Sequence, residues 1–186
     1  MKVLAIDPGA ERLGWACLEY TEERLVYYTS GILAHHKSIP DQEYKLELIS
    51  GLLDPVTALL EDHEPDLVIN EIVPSVGSGN FAVSGQGYLA NTAIVVANTL
   101  TFIAGIPVQQ IAARSVQTKI AKKPEKKTKG ITKVQVRNGV VEYFPFLKDR
   151  AKDMAADETD AIAIGLAGLA VHYPGLLNGN IIGTEA

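Results

Sequence analysis

A chain of 186 residues with 47% hydrophobic content, 21% charged residues and a net charge of −5 has the apolar mass for one globular domain with a substantial core. It has no uninterrupted apolar run of roughly 18 residues to span a bilayer, no signal-peptide pattern before its first strand, and a single cysteine, Cys17, which excludes a disulfide scaffold or a cysteine-based zinc site. These features predict a soluble, cytoplasmic protein with Cys17 as a packing residue.

Three strand signals open the chain: Lys2 to Asp7, Gly14 to Tyr20, and Arg24 to Ala34, with turns at Pro8-Gly9 and Thr21-Glu22-Glu23. Asp41 to His63 carries Leu46, Ile49, Leu52, Leu53, Val56, Leu59 and Leu60 at helical spacing, and Pro55 inside it is expected to kink or divide the helix. Asp66 to Glu71 is almost wholly apolar, as suits a strand covered on both faces. A glycine-rich segment follows from Ser75 to Gly87; it lacks the lysine and spacing of a P-loop and reads equally as a loop over a site or as a plain connection. Tyr88 to Ala104 predicts a helix apolar on most faces, Pro107 to Ala112 a fifth strand, and Lys133 to Tyr143 and Asp157 to His172 two further helices. This order predicts an α/β domain over residues 1–172, with a mixed five-stranded sheet of three antiparallel strands and then parallel additions, flanked by helices. Residues 173–186 read as a loosely ordered tail.

Four carboxylates stand out against this frame. Asp7 ends the apolar run Val3-Leu4-Ala5-Ile6, and Glu71 ends Leu67-Val68-Ile69-Asn70. Asp157 and Asp160 open the last helix three residues apart, on one helical face. Taken singly, an aspartate before Pro-Gly is a turn former and acids at a helix start complement the helix dipole. Glu71 changes the balance, because a charge closing a buried strand needs compensation and a cation provides it. Carboxylate oxygens suit Mg²⁺ or Mn²⁺, and His35, His36, His63 and His172 have no metal-ligand spacing. Two such cations serve in-line phosphodiester hydrolysis, with Asp7 placed to bridge them, Glu71 on one, and Asp160 with Asp157 on the other.

The charge distribution is uneven. Between residues 119 and 133 lie Lys119, Lys122, Lys123, Lys126, Lys127, Lys129 and Lys133 against the one acid Glu125, a local +6 that leaves −11 for the rest of the chain. A lysine run alone is ordinarily a solvated loop. Beside a metal-type carboxylate set it reads, with Arg114, as the source of phosphate contacts to nucleic acid.

Ala5-Ile6-Asp7-Pro8-Gly9, Asn70-Glu71, Ala112-Ala113-Arg114 and Asp157-Glu158-Thr159-Asp160-Ala161-Ile162-Ala163-Ile164 follow the order and approximate spacing of the RuvC-type Holliday-junction resolvases, which the chain resembles over roughly residues 1–172. The resemblance implies an RNase H-like fold, Asp7, Glu71, Asp157 and Asp160 as catalytic acids, two Mg²⁺ per site, a homodimer, and paired symmetric nicking of four-way DNA junctions in a bacterial or phage-infected cell. The chain departs from the bacterial pattern in having Pro74 where an aromatic wedge is common, with Phe81 or Tyr88 as substitutes, and Gln117 where a lysine is usual. These departures resemble a phage or divergent resolvase. The competing expectations are a nuclease for forks, flaps or RNA-DNA hybrids on the same fold, and a non-catalytic junction-binding module. An actin-like kinase needs a second lobe for which the chain has no room.

Overall fold

A computed structural model describes residues 1–9, 12–21, 24–34, 41–72, 85–121, 131–177 and 182–186. The strands are β1 (Lys2–Pro8), β2 (Arg12–Thr21), β3 (Arg24–Ala34), β4 (Leu67–Glu71), β5 (Val108–Ile111) and β6 (Thr184–Glu185). The helices are α1 (Asp41–His63), α2 (Gly85–Ile103), α3 (Ala113–Ile120), α4 (Lys133–Tyr143) and α5 (Ala156–His172), with two short 3-10 turns at Pro145–Leu147 and Arg150–Lys152. None of the described helices is long and apolar enough to cross a membrane.

One sheet runs in the order β5-β4-β1-β2-β3-β6. The first three strands pair antiparallel, and β4 and β5 add parallel beyond β1, as the sequence predicts. The fifth strand is not the last, however, because Thr184–Glu185 pairs in parallel with Val26 and Tyr27 at the far edge. Residues 173–186 are therefore tied down in part, with Leu176 fully buried. An exposed sheet edge offers backbone donors and acceptors that an extended segment of almost any sequence can satisfy, so two residues, Thr and Glu, carry no pattern that announces the pairing.

The helix from Asp41 to His63 is also undivided at Pro55. Proline removes the bond to the carbonyl four residues back, which belongs to the exposed Gly51, where water can replace it. The short helix α3 has no counterpart among the predicted elements; its packing rests on Val116 and Ile120 alone, one turn apart.

Side chains on a strand alternate between faces, and β1 shows what this does. Val3 and Ala5 join a core with Ile69, Ala161, Ile162 and Leu166, on the side covered by α5. Leu4 and Ile6 join the other core, with Val68 and the α1 and α2 residues Leu52, Val56, Ala93 and Ala97. The central strand is thus buried on both faces. Cys17 is fully buried, and burial raises its thiol to about 11, in keeping with a packing role.

Helix α5 lies unusually close to the sheet because the contact positions lack bulk. Gly165 sits against Leu18 and Ala5, and Gly168 against Ile69. At the start of the helix, a Cβ on Gly14 of β2 would collide with the Asp157 carbonyl. Because Gly14 is the pairing partner of Asp7, this approach brings the helix start over the end of β1. Replacing Gly14 with Ala is expected to destabilise the protein by about 1–3 kcal/mol, as overpacking does, and to lower the melting temperature in a thermal scan; an unchanged midpoint would contradict the close approach.

Candidate active site

Strand parity explains why acids from distant segments meet. Val3, Ala5 and then Asp7 point toward α5, and so do Leu67, Ile69 and then Glu71. Asn70 points the other way, where its Nδ2 donates to Asn98 Oδ1 at 2.6 Å. Since Ile6 and Asn70 are neighbours in the parallel β1/β4 register, Asp7 and Glu71 stand side by side at the carboxyl ends of adjacent strands, roughly one interstrand spacing of 4.8 Å apart. Asp157, in the first turn of α5, and Asp160, three residues on, face them. All four line one cleft of about 520 Å³, together with Arg12, Lys133, Val116, Gln117, Ile131 and Val136.

The electrostatics are those of crowded anions. Burial, followed by Asp160, Glu71 and Asp157, holds the Asp7 carboxyl well above its ordinary range. Glu71 is pushed up to about 7, by burial and then by Asp160. Asp160 is raised by burial, although Lys133 opposes the shift. Burial works against the charge on Lys133, but Asp160, Asp157 and Asp7 together outweigh it and the net shift is upward. Lys133 Nζ lies 3.2 Å from Asp160 Oδ2 and 3.9 Å from Asp157 Oδ1, and Arg12 Nε lies 3.6 Å from Asp157 Oδ2. With the two α5 acids drawn toward these cations, no three Asp, Glu, His or Cys side chains among the described residues are gathered tightly enough to enclose an ion. The donor set nonetheless fits one. It is all carboxylate oxygen, suited to a hard divalent cation, and burial first, with neighbouring carboxylates after it, disfavours the charged form of Asp7, Glu71 and Asp160, a cost that such a cation would offset.

A further group of contacts holds the helix that carries two of these acids. Glu158 lies between them on the inward side of α5, in line with Ile162 and Gly165, and is buried. Its Oε1 accepts from Ser30 Oγ at 2.5 Å and from Arg150 Nη2 at 2.7 Å, while Arg150 Nη1 donates to the Tyr27 hydroxyl at 3.0 Å. Tyr27 is itself walled by Phe144 and Phe146 at 5.6 and 5.7 Å. The first turn of α5 is thereby fastened to β3 and to the 3-10 turn at Arg150. Neither Arg12 nor Glu158 is among the sequence-predicted site residues. The sequence carries a signal for Glu158, since an acid in register with the apolar stripe of a buried helix requires a partner; it carries none for the partner's identity, because Ser30 is 128 positions away.

Of the predicted nucleic-acid contacts, Lys133 is in the cleft, and Arg114 and Lys119 belong to α3, which supplies Gln117 and Val116 to the cleft wall. Lys122, Lys123, Lys126, Lys127, Lys129 and Phe81 lie outside the described residues, as do His35 and His36; Tyr88 falls within α2, but its side chain is not among those described. His63 stacks on Trp15 at 5.6 Å and His172 bonds Gln109 at 2.8 Å, both away from the cleft lining.

The raised carboxyls predict a definite pH response. From about 4.5 to about 7 the folded chain keeps a proton on Glu71 that the unfolded chain has lost, so this group makes stability fall as pH rises through that window. Chelator-treated protein is expected to gain more in melting temperature from Mg²⁺ at about pH 8 than at about pH 5, and Glu71→Gln to lessen the difference. An equal gain at both pH values would count against a cation among these acids.

Comparison with known proteins agrees with this geometry. The family model for the crossover junction endodeoxyribonuclease RuvC matches residues 3–168. The crossover junction endodeoxyribonuclease RuvC of Methylorubrum populi is 30% identical over 166 residues, covering 89% of this chain and 78% of that protein. The fold is similar to that of T. thermophilus RuvC in complex with a Holliday junction substrate, with a TM-score of 0.68 at 19% identity over 95% of this chain and 98% of that one. It is also similar to the yeast mitochondrial Holliday junction resolvase Ydc2, with a TM-score of 0.60 at 14% identity over 96% and 80% of the two chains. A family match that runs from β1 into α5, and takes in all four acids of the cleft, places this chain in the RuvC family of crossover junction endodeoxyribonucleases.

Proposed function

We propose that this chain resolves four-way DNA junctions by paired symmetric nicks, using Asp7, Glu71, Asp157 and Asp160 to hold two Mg²⁺ ions, for which Mn²⁺ can substitute. The observation that carries the reading is the convergence of the four acids in one cleft, two from adjacent strand ends and two from the helix above them. Family membership supplies the reaction class, a metal-dependent DNA endonuclease.

Asp7 is the residue placed to serve both cations, being central on β1 with Glu71 on one side and the α5 acids opposite. Bound there, divalent cations supply the charge that activates water and stabilises the leaving oxygen of the phosphodiester. The chain's own part is to hold those carboxylates in a partly desolvated pocket and to position the DNA. Lys133 and Arg12, at the mouth and more than half exposed, can turn from the acids to phosphate oxygens once the carboxylates are otherwise neutralised. Arg114 and Lys119 extend that phosphate contact along α3, and the lysine-rich residues 122–129 continue it. Cleavage leaves a 5′-phosphate and a 3′-hydroxyl. The nuclease domain occupies residues 1–172 and acts in the cytoplasm of a bacterial or phage-infected cell.

Cutting two strands symmetrically calls for two copies. Helix α2 offers the surface, since Val95, Phe102 and Ile103 expose 61, 82 and 74% of their area, and the first two stand two turns apart on one face. Exposed apolar side chains grouped in this way mark an interaction site. Phe102→Asp is expected to shift the protein toward a monomer in sedimentation and to convert paired nicks into single, uncoordinated ones; a variant that remains dimeric would remove α2 from the interface.

For the acids, Asp7→Asn is expected to reduce cleavage of a labelled four-way junction by on the order of 10³-fold or more, with binding kept or tightened because one negative charge facing phosphate is gone. Near-normal cutting, or a folded variant that no longer binds, would overturn the assignment. A parallel panel of fork, 5′-flap, linear duplex and RNA-DNA hybrid tests the substrate: cuts confined to the four-way junction support the resolvase reading, and hybrid-only cutting refutes it.

A further inference from the structure

The cleft does not end at Asp160. Lys133 and Asp160 also line a smaller hollow of about 110 Å³, shared with Arg137, Met154 and Thr159. Arg137 in turn lines a third depression of about 460 Å³, whose other charged residues are Lys148, Lys152 and Glu142. Neighbouring hollows share lining residues, Lys133 and Asp160 between the first two and Arg137 between the second and third, so the three lie in succession, as a furrow, from the acids along α4 to the two 3-10 turns. Lys133, Arg137 and Val141 follow one another at intervals of four on α4, so they lie along one face of the helix and span about 12 Å at 1.5 Å per residue. That length matches three to four base-pair steps at about 3.4 Å each along the axis of a duplex.

We propose that this furrow carries the sugar-phosphate backbone of one duplex arm away from the scissile phosphate, with Arg137, Lys148 and Lys152 as its phosphate contacts. The inference rests on the reading of the cleft as a DNA nuclease site and extends it to residues outside the lysine-rich segment. Three features favour a linear polyanion over a discrete anion. The cations are spread along a track instead of converging on a point, the track opens into the cleft where a phosphodiester is to be cut, and its far end is shallow and solvent-facing. Lys148 is exposed. Lys152 Nζ lies 3.1 Å from Asp149 Oδ1, with 71% of the lysine and 94% of the aspartate side chain open to water. Exposed pairs of this kind contribute little to stability, so a phosphate displaces Asp149 readily. Arg137 has a structural duty as well, since its Nη1 donates to the Ala151 carbonyl at 3.3 Å. This hydrogen bond fixes the guanidinium at the junction of the two hollows.

The test uses Lys148→Ala with Lys152→Ala, which leaves Arg137 and the fold intact. Binding of a fluorescent four-way junction, and of a linear duplex equal to one arm, is measured by anisotropy in EDTA across a salt series, with single-turnover cleavage at saturating protein in Mg²⁺. The expected result is roughly tenfold weaker binding of both DNAs at moderate salt and a salt-dependence slope smaller by about 2, one for each phosphate that is no longer neutralised, while cleavage of bound junction keeps its rate. Unchanged affinity and slope would overturn the proposal. So would unchanged DNA binding accompanied by weakened binding of poly-glutamate, which would assign the furrow to an acidic protein. If wild-type protein bound duplex through these lysines but failed to prefer or cut the junction, the furrow would stand and the resolvase reading would fall.

Discussion

How near α5 can come to the sheet determines the rest of the structure. Gly14, Gly165 and Gly168 remove side-chain bulk at three places where the helix meets β2, β1 and β4. Without that approach, Asp157 and Asp160 would stand back from Asp7 and Glu71, and the two pairs of acids would form two surfaces instead of one cleft. The same closeness buries the first turn of the helix, and with it Glu158, whose charge then has to be met inside the protein. Arg150, Ser30 and Tyr27 meet it. Packing therefore creates the site and the obligation to brace it.

The cleft itself is an energetic compromise. Asp7, Glu71 and Asp160 stand where burial, and after it neighbouring carboxylates, raise their proton affinity, which is unfavourable to the fold taken by itself, and Lys133 opposes the shift at each without cancelling it. Such arrangements cluster at functional sites because the strain is relieved by what binds there. The opposite face of the sheet is mainly apolar, although Asn70 Oδ1 is buried there without a partner. Its core is Leu, Ile, Val and Ala from β1, β4, α1 and α2, with the Asn70–Asn98 pair as a polar exception. The sheet thus separates the side that bears the acids from a side packed by α1 and α2.

Much of this is legible in the residues. β1 and β4 are short apolar runs each closed by an acid, and period-two alternation alone puts those acids on a common face once the strands are neighbours. α5 is an apolar helix with its acids gathered near its start. What cannot be read has physical reasons. α3 holds on through two side chains in eight residues, too few to set a period. β6 is two residues whose pairing is made by backbone. Arg12, Arg150 and Ser30 owe their roles to partners far away in sequence, Asp157, Tyr27 and Glu158. The basic furrow is hidden because Lys148 and Lys152 stand beside Asp149 and Asp153, so a local charge count comes out near balance, and the two lysines join Arg137 only once α4 packs against the turns. The wedge candidates Phe81 and Tyr88 have no described side chains.

The pairing of β6 has a consequence for how the protein is made. Ala186 N donates to the Tyr27 carbonyl at 3.0 Å, and Gly183 N to that of Tyr143 at 2.6 Å with its α-carbon against Phe144. These residues close over the aromatic group whose tyrosine supports Arg150 and, through it, Glu158. A chain emerging from the ribosome displays Asp7 and Glu71 early, but the helix acids Asp157 and Asp160 that complete the cleft come well after them, and the strand that seals the brace, Thr184–Glu185, comes later still.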